Sequence, residues 1–118
     1  MVFNMRGTGS YMHQVGFMCN GKLVIDIDDE LLLLDYDSVT NKIINVSRLY
    51  DDITDECKEI DIDVEERYTT KYYPRIYYII YELRFNGNIG YLLERYDGTS
   101  ASSEFYLCDD YKSCRDHI

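Results

Sequence analysis

Two long apolar runs in the second half of the chain constrain its fold more than any other feature. Residues 72–81 read Tyr-Tyr-Pro-Arg-Ile-Tyr-Tyr-Ile-Ile-Tyr, and residues 90–95 read Gly-Tyr-Leu-Leu-Glu-Arg. Between them lies Asn86-Gly87-Asn88. Aromatic and β-branched runs on either side of a short Asn-Gly turn are typical of a β-hairpin. We therefore expect core strands at 75–83 and 89–95, with Ile79, Leu92 and Leu93 in the core.

A helix is expected upstream, over residues 28–37. Asp28 is suited to be its N-cap, and the carboxylates of Asp29 and Glu30 would lie in the first turn, where the helix dipole favours negative charge. Leu31 to Leu34 would then supply the buried face. Four consecutive leucines do not fix a period, so a buried strand is the alternative interpretation of this segment.

The remaining segments complete an α+β prediction, with one helix packed on an antiparallel sheet. Alternating or apolar residues predict further strands at 15–19, 42–49 and 104–108. The acidic segment 51–66 is expected to be a solvated loop or a sheet edge, because Ile60, Ile62 and Val64 alternate with acids. We expect a single domain, 1–118, whose residues 1–10 are mobile.

Composition restricts the classes of partner. The chain has 22 acidic and 12 basic residues, a formal charge of −10. Phosphate backbones are bound through Lys and Arg, so this balance opposes nucleic acid and favours basic protein surfaces. The chain has no apolar run of about 18 residues, so no membrane partner is expected. The first twenty residues lack the plan of a signal peptide, so a secreted form would have lost its leader.

The four cysteines predict two disulfides. Their spacings of 38, 51 and 6 residues match no zinc pattern. Cys19 and Cys108 each end an apolar strand and could meet at one edge of the sheet. We therefore expect Cys19 to pair with Cys108 rather than Cys114, which leaves Cys57 for the remaining bond.

The sequence offers no catalytic set, metal site or cofactor motif. Its two histidines, His13 and His117, lie near opposite ends of the chain. Glu94 and Arg95 are interpreted as a paired surface charge. The acids of segment 26–30 lack the glycine and the distal glutamate of a calcium loop. The tyrosines of 72–81 could stack on bases, but filling the core and covering the sheet is the interpretation we favour. We therefore expect a protein that is not an enzyme.

Several short motifs resemble one family. Phe17-Met18-Cys19 with the Asn20-Gly21 turn, Tyr77-Tyr78-Ile79-Ile80, Gly90-Tyr91-Leu92-Leu93 and Phe105-Tyr106-Leu107-Cys108 look like the ribonuclease-like secreted effectors of powdery mildew fungi, the RALPH effectors. That family has Tyr-x-Cys near the mature N-terminus, where this chain has Phe17. The likeness covers roughly residues 15–110.

The resemblance implies a ribonuclease-like fold without the catalytic residues of the active enzymes. It also implies a secreted fungal virulence effector that enters the host cell cytoplasm and binds host plant components. Some family members are detected by intracellular nucleotide-binding leucine-rich-repeat immune receptors. RNA is the secondary partner to consider, and a monomer is expected.

Binding residues are expected in the loops of such a scaffold. We predict that partners contact the hairpin tip and the neighbouring 97–103 loop through Phe85, Asn86, Asn88 and Tyr96. The acidic residues Asp51, Asp52, Asp55 and Glu56 are the second set. The alternative function is an acidic inhibitor or immunity-type protein, of viral or other origin, that mimics nucleic acid and blocks a nucleic-acid-binding protein.

Overall fold

The computed structural model describes residues 11–27, 29–40, 42–49, 56–72 and 75–118. These residues form eight strands and one short helix. The elements are β1 (Tyr11–Cys19), β2 (Lys22–Ile27), β3 (Glu30–Asp37), β4 (Lys42–Arg48), β5 (Lys58–Tyr72), β6 (Ile76–Phe85), β7 (Asn88–Asp97), β8 (Ser102–Cys108) and α1 (Tyr111–Asp116).

All eight strands belong to one antiparallel sheet in the order β4-β3-β2-β1-β5-β6-β7-β8. The sheet curls until its two edge strands, β4 and β8, face each other in a nearly closed, barrel-like arrangement. Side chains bridge this seam. Ile43 packs against Gly90, where any added Cβ would lie 2.9 Å from the Ile43 Cδ1. Arg48 lies over the Phe105 ring, 6.0 Å from its centroid. The α+β, ribonuclease-like prediction is therefore wrong.

Tight turns join consecutive antiparallel strands of the sheet. Asn20 and Gly21 have φ of 54° and 81°, and Asn86 and Gly87 have φ of 50° and 75°. Two successive positive φ values define the turn whose twist matches antiparallel strands, and Asn-Gly is its preferred sequence. The predicted hairpin at 86–88 and the predicted turn at Asn20-Gly21 are both confirmed.

The helix predicted at 28–37 is instead the strand β3. Asp29 has a φ of 64° and lies in the turn between β2 and β3, so it does not start a helix. Leu32 and Leu34 point into the core, while Leu31 and Leu33 occupy the other face. A four-leucine run therefore coats both faces of one strand, which the alternative strand interpretation anticipated. Asp28 lies outside the described residues.

The prediction for the acidic segment 51–66 was also wrong in part. Its second half opens β5, the longest strand, which lies at the centre of the sheet between β1 and β6. Ile62 and Val64 are buried in the core, so the alternation does mark a strand, but not an edge strand. The expected mobility of residues 1–10 lies outside the described residues.

The core fills the inside of the curled sheet. Alternate residues of every strand face inward, and the fully buried apolar side chains there are Leu23, Ile25, Ile27, Leu32, Leu34, Ile62, Leu83 and Leu92. A second cluster lies on the outer face under α1, where Ile80, Leu93, Cys108 and Cys114 are buried. The predicted core positions Ile79, Leu92 and Leu93 are confirmed.

The two disulfides are present with a different pairing from the one predicted. Cys19 bonds Cys57, and Cys108 bonds Cys114. Because Met18 pairs with Lys58 across the β1–β5 ladder, the next residue on each side brings Cys19 opposite Cys57. Cys108 ends β8 only 6 residues before Cys114, so its bond ties α1 to the sheet. Proximity in the ladder and in sequence decides the pairing.

Candidate functional site

The outer face of the first three strands carries an exposed apolar patch. We call it the Phe17 patch and define it as Val15, Phe17, Val24, Leu31 and Leu33. Val15, Phe17 and Leu31 are 49%, 42% and 49% exposed. Large apolar side chains that cluster on a surface mark sites of interaction more often than isolated ones do.

Strand register brings the patch together. Phe17 pairs with Val24, and Val24 pairs with Leu33, so the three side chains form one row across β1, β2 and β3. Val24 lies in the middle of this row and is only 7% exposed. Leu31 and Val15 lie one outward position further along their strands. The inward positions between them are filled by core residues such as Leu23 and Leu32.

Carboxylates border the patch. On β5, Glu59 pairs with Phe17 and Asp61 pairs with Val15. On β2, Asp26 pairs with Leu31. At the opposite end of the patch, the cation of Lys22 forms an ion pair of 3.2 Å with Asp35. Among the described residues, Asp26 and Glu59 have no cation partner. Asp26 and Glu59 therefore present negative charge that the described residues do not neutralise.

The surroundings of Asp26 disfavour the charged form of its carboxyl group. Its pKa is raised, first because partial burial desolvates the carboxylate and second because Asp29 repels it. A hydrogen bond from the Asp29 backbone N–H acts in the opposite direction. A cation placed over the patch would offset both unfavourable effects. Asp26 is therefore better suited to face a positively charged partner than open solvent.

The backbone under Asp26 is held by an inward side chain. The backbone pairing of β1 with β2 ends at Phe17 and Val24. Beyond this pair, the side-chain amide of Gln14 forms the hydrogen bonds to β2. Its Nε2 donates to the Asp26 carbonyl oxygen at 2.8 Å, and its Oε1 accepts from the Asp26 N–H at 3.0 Å. The amide thus fixes the position of β2 where the strands separate, and with it the position of the Asp26 carboxylate.

The predicted hairpin-tip residues do not form one surface. Phe85 is 3% exposed and packs edge-on against Tyr36 at 5.6 Å, so the expectation of an exposed anchor at Phe85 is wrong. Asn88 donates to the Tyr36 hydroxyl at 3.1 Å. Asn86 is exposed in the turn. Tyr96 lies on β7, half-buried against Tyr77 at 5.9 Å. Whether Asn86, Asn88 or Tyr96 contacts a partner stays a prediction.

The predicted acidic set is described only at its end. Asp51, Asp52 and Asp55 lie outside the described residues. Glu56 is exposed and directly precedes Cys57, which the disulfide fixes beside β1. Glu56 therefore lies near Cys19, at the end of β1 and two residues beyond Phe17.

Glu94 is a buried carboxylate, which corrects its interpretation as a surface charge. It is 2% exposed and faces the inside of the sheet. Its Oε1 accepts from the Tyr81 hydroxyl at 2.7 Å, and its Oε2 accepts from the Ser103 hydroxyl at 2.6 Å. These bonds connect β6, β7 and β8 near the seam. Both carboxylate oxygens are thus satisfied by hydroxyl groups.

The described residues contain no group of three or more His, Cys, Asp or Glu side chains arranged to hold a metal ion. Among these same residues, no helix has the length and apolarity that spanning a membrane requires. What the Phe17 patch can do is bind by shape, apolar contact and charge.

The outward alternation of Val15 and Phe17 was visible in the sequence, but the contribution of Leu31 and Leu33 depended on the strand interpretation of 28–37.

Comparisons with protein-family models, with curated proteins and with solved structures each returned no match to this chain.

Proposed function

We propose that this chain is a secreted, non-catalytic binding protein whose Phe17 patch binds a basic, partly apolar surface of another protein. The two disulfides are consistent with a protein made for an oxidising compartment. The motif resemblance extends the proposal to a virulence effector, with a host plant protein or an intracellular immune receptor as the partner.

The observation that carries this proposal is the combination of exposed apolar side chains with carboxylates that have no cation partner in the described part of the chain. Phe17 and Leu31 offer apolar area, and Asp26 and Glu59 offer charge on either side of it. Interfaces combine an apolar centre with a polar rim, and complementary charge gives specificity and fast association. The net charge of −10 acts in the same direction on a basic partner.

Affinity capture from host plant extract, with quantitative mass spectrometry, tests the proposal. The wild-type protein is compared with Phe17→Ser, Leu31→Ser and the control Ile89→Ser. Ile89 is 59% exposed on β7, so its replacement removes similar apolar area from a different place. We expect the captured proteins to be enriched in basic members, to be lost with Phe17→Ser and Leu31→Ser, and to be retained with Ile89→Ser.

Thermal unfolding of each variant separates binding from folding. Phe17 flanks the buried Val24, so its replacement could lower stability, whereas Leu31 lies at the margin of the patch. A Leu31→Ser protein that melts like the wild type and still captures every partner would refute the proposal. Equal losses with Ile89→Ser would refute it as well, because the effect would then be non-specific.

The nucleic-acid mimic remains the second candidate because of one row of acids. Glu59, Asp61, Asp63 and Glu65 follow each other on the outer side of β5. Glu65, the last member of this row, forms an ion pair of 2.8 Å with Arg84, which offsets the negative charge at that end. A mimic would capture nucleic-acid-binding proteins, lose them to competing heparin, and be insensitive to Phe17→Ser. The apolar patch predicts sensitivity to Phe17→Ser.

A further inference from the structure

A pocket separate from the Phe17 patch lies on the outer face of the sheet, beside the end of α1. It has a volume of about 270 Å³ and is lined by Tyr78, Leu93, Arg95, Tyr106, Leu107 and His117. We call it the Arg95 pocket. Leu93 is 2% exposed and contributes an apolar surface, while the two phenol rings and the imidazole contribute aromatic ones.

Three strands and the helix terminus form the pocket. Tyr78 pairs with Arg95 across β6 and β7, and Leu93 pairs with Tyr106 across β7 and β8. His117 is the C-cap of α1, and its backbone N–H donates to the Cys114 and Arg115 carbonyl oxygens. The Cys108–Cys114 disulfide fixes that helix to the end of β8. The backbone of His117 is therefore held beside the sheet by the cap and the disulfide.

The pocket has hydrogen-bond donors that the described residues do not use. The Arg95 guanidinium hydrogen-bonds the Tyr78 phenol, and its Nη1 lies 3.9 Å from the Glu104 carboxylate. A guanidinium has five N–H groups, so these partners leave others available. The His117 ring has no hydrogen-bond partner among the described residues. The Tyr106 hydroxyl donates a hydrogen bond to the Glu104 carboxylate, so Glu104 is shared between Tyr106 and Arg95.

The row of acids on β5 acts only weakly at this place. Asp63 pairs with Arg84 on β6, whereas Arg95 pairs with Tyr78 on the same strand. At about 3.3 Å per residue, the two rows are about 20 Å apart along β6. That separation is more than twice the Debye length of about 8 Å at physiological salt, so exposed acids there are largely screened. Closer to Arg95 lie the carboxylates of Glu104 and Asp97, and both attract its guanidinium.

We propose that the Arg95 pocket binds a small aromatic anion, one ring that carries a carboxylate or phosphate group. The anionic group would accept hydrogen bonds from Arg95 and His117, and the ring would lie against Leu93 between Tyr78 and Tyr106. Bidentate contact with a planar or tetrahedral oxyanion suits a guanidinium. The volume is below the usual range of about 300–1,000 Å³ for drug-sized ligands, which limits the ligand to a single ring.

Titration of the isotopically labelled protein, followed by amide NMR shifts, tests this proposal. The probes are benzoate, phenyl phosphate, acetate as an anion without a ring, and phenol as a ring without an anion. We expect saturable shifts at residues 78, 93, 95, 106 and 117 with benzoate or phenyl phosphate, at a Kd in about the millimolar range. The tighter of the two aromatic probes identifies the anionic group, and acetate and phenol should each bind at least about tenfold more weakly.

Variants assign the binding to the pocket. Arg95→Gln should weaken binding about tenfold, the loss typical of a charge-assisted hydrogen bond. The control Lys71→Gln removes the same charge from an exposed position and should leave the affinity unchanged. His117→Ala, at an exposed site, provides a second test if Arg95→Gln fails to fold. The proposal is overturned if acetate binds as tightly as benzoate, if neither aromatic probe gives shifts at the pocket, or if the folded Arg95 and His117 variants bind like the wild type.

Discussion

Asp26 combines a stability cost with a proposed binding role. Its folded-state pKa is raised from 3.8 by desolvation and by Asp29, so the ionised carboxylate is less favourable in the folded state than in the unfolded one. Stability associated with this group is fully present below the unfolded pKa and decreases as pH rises through the folded pKa. A residue that lowers stability near neutral pH is understandable if the carboxylate serves recognition.

Replacement of Asp26 by Asn should therefore stabilise the protein near neutral pH. We expect the melting temperature of Asp26→Asn to exceed that of the wild type at about pH 7 and to match it at about pH 3, where the carboxyl is protonated in both states. Thermal unfolding at the two pH values measures this difference. The same variant should bind the captured partner less well, and a lower melting temperature at neutral pH would contradict the assignment.

Glu94 has the opposite character, because its carboxylate is satisfied inside the protein. Glu94→Ala leaves the Tyr81 and Ser103 hydroxyls without this acceptor and opens a cavity. We expect it to lower the free energy of unfolding by about 3 kcal/mol. Glu94→Gln keeps the shape and can bond both hydroxyls, so we expect a cost below about 1 kcal/mol. Urea unfolding measures both, and equal stability of wild type and Glu94→Ala would contradict the described network.

Among the secondary-structure elements, α1 depends most on a covalent bond. A six-residue helix does not form alone in water. Here Asp110 caps it by accepting from the Ser113 backbone N–H at 2.8 Å, a bond that lowers the pKa of Asp110. Cys114 is fully buried and bonded to Cys108. Cap, burial and disulfide together keep the helix on the sheet.

Removal of this disulfide should release α1 and leave the sheet intact. In a Cys108→Ala/Cys114→Ala protein we expect amide hydrogen exchange to become fast across residues 111–117, with little change in β6 and β7. The Cys19–Cys57 bond closes a longer loop of 38 residues, so its removal should cost about 4 kcal/mol on the chain-entropy model. Peptide mapping without reduction checks the pairing, and a Cys19–Cys108 peptide would contradict the structure.

The elements also show which sequence patterns were informative. The hairpin of β6 and β7 was predictable because Asn86-Gly87 is specific for its turn. The Leu31 to Leu34 segment was not, because a strand that is apolar on both faces has no period to distinguish it from a buried helix. Helix α1 was missed because six residues give no periodicity, although Asp110 three residues before Ser113 has the spacing of a cap.

The candidate surface was harder to predict than the sheet. An exposed Phe17 and a buried Phe85 have the same residue type and similar strand contexts. The register of β1 against β2 and β5 places Phe17 outside, whereas Phe85 is buried in the inner core, where its ring packs against Tyr36 of β3. Such choices depend on contacts between residues far apart in sequence. A single sequence does not specify those contacts.

At the scale of the whole molecule, charge is divided between two parts of the sheet. The surface of β1, β2 and β5 carries the Phe17 patch with Asp26, Glu59 and Asp61. The outer surface under α1 instead pairs cations with tyrosines, as in Arg115 over Tyr68 at 3.8 Å and Arg67 over Tyr111 at 5.2 Å. A basic partner should therefore approach the first surface, and the Arg95 pocket lies within the second. The two proposals predict binding events that do not compete.

Oxidative footprinting of the complex with a captured, purified partner tests the central claim most directly. Hydroxyl radicals modify exposed Phe17 and Leu31 in the free protein, and they modify Ile89 and Tyr106 as internal references. We predict that partner binding reduces the modification of Phe17 and Leu31 and leaves Ile89 and Tyr106 unchanged. Unchanged modification of Phe17 and Leu31, with protection at Ile89 or Tyr106, would contradict the assignment of the Phe17 patch as the binding surface.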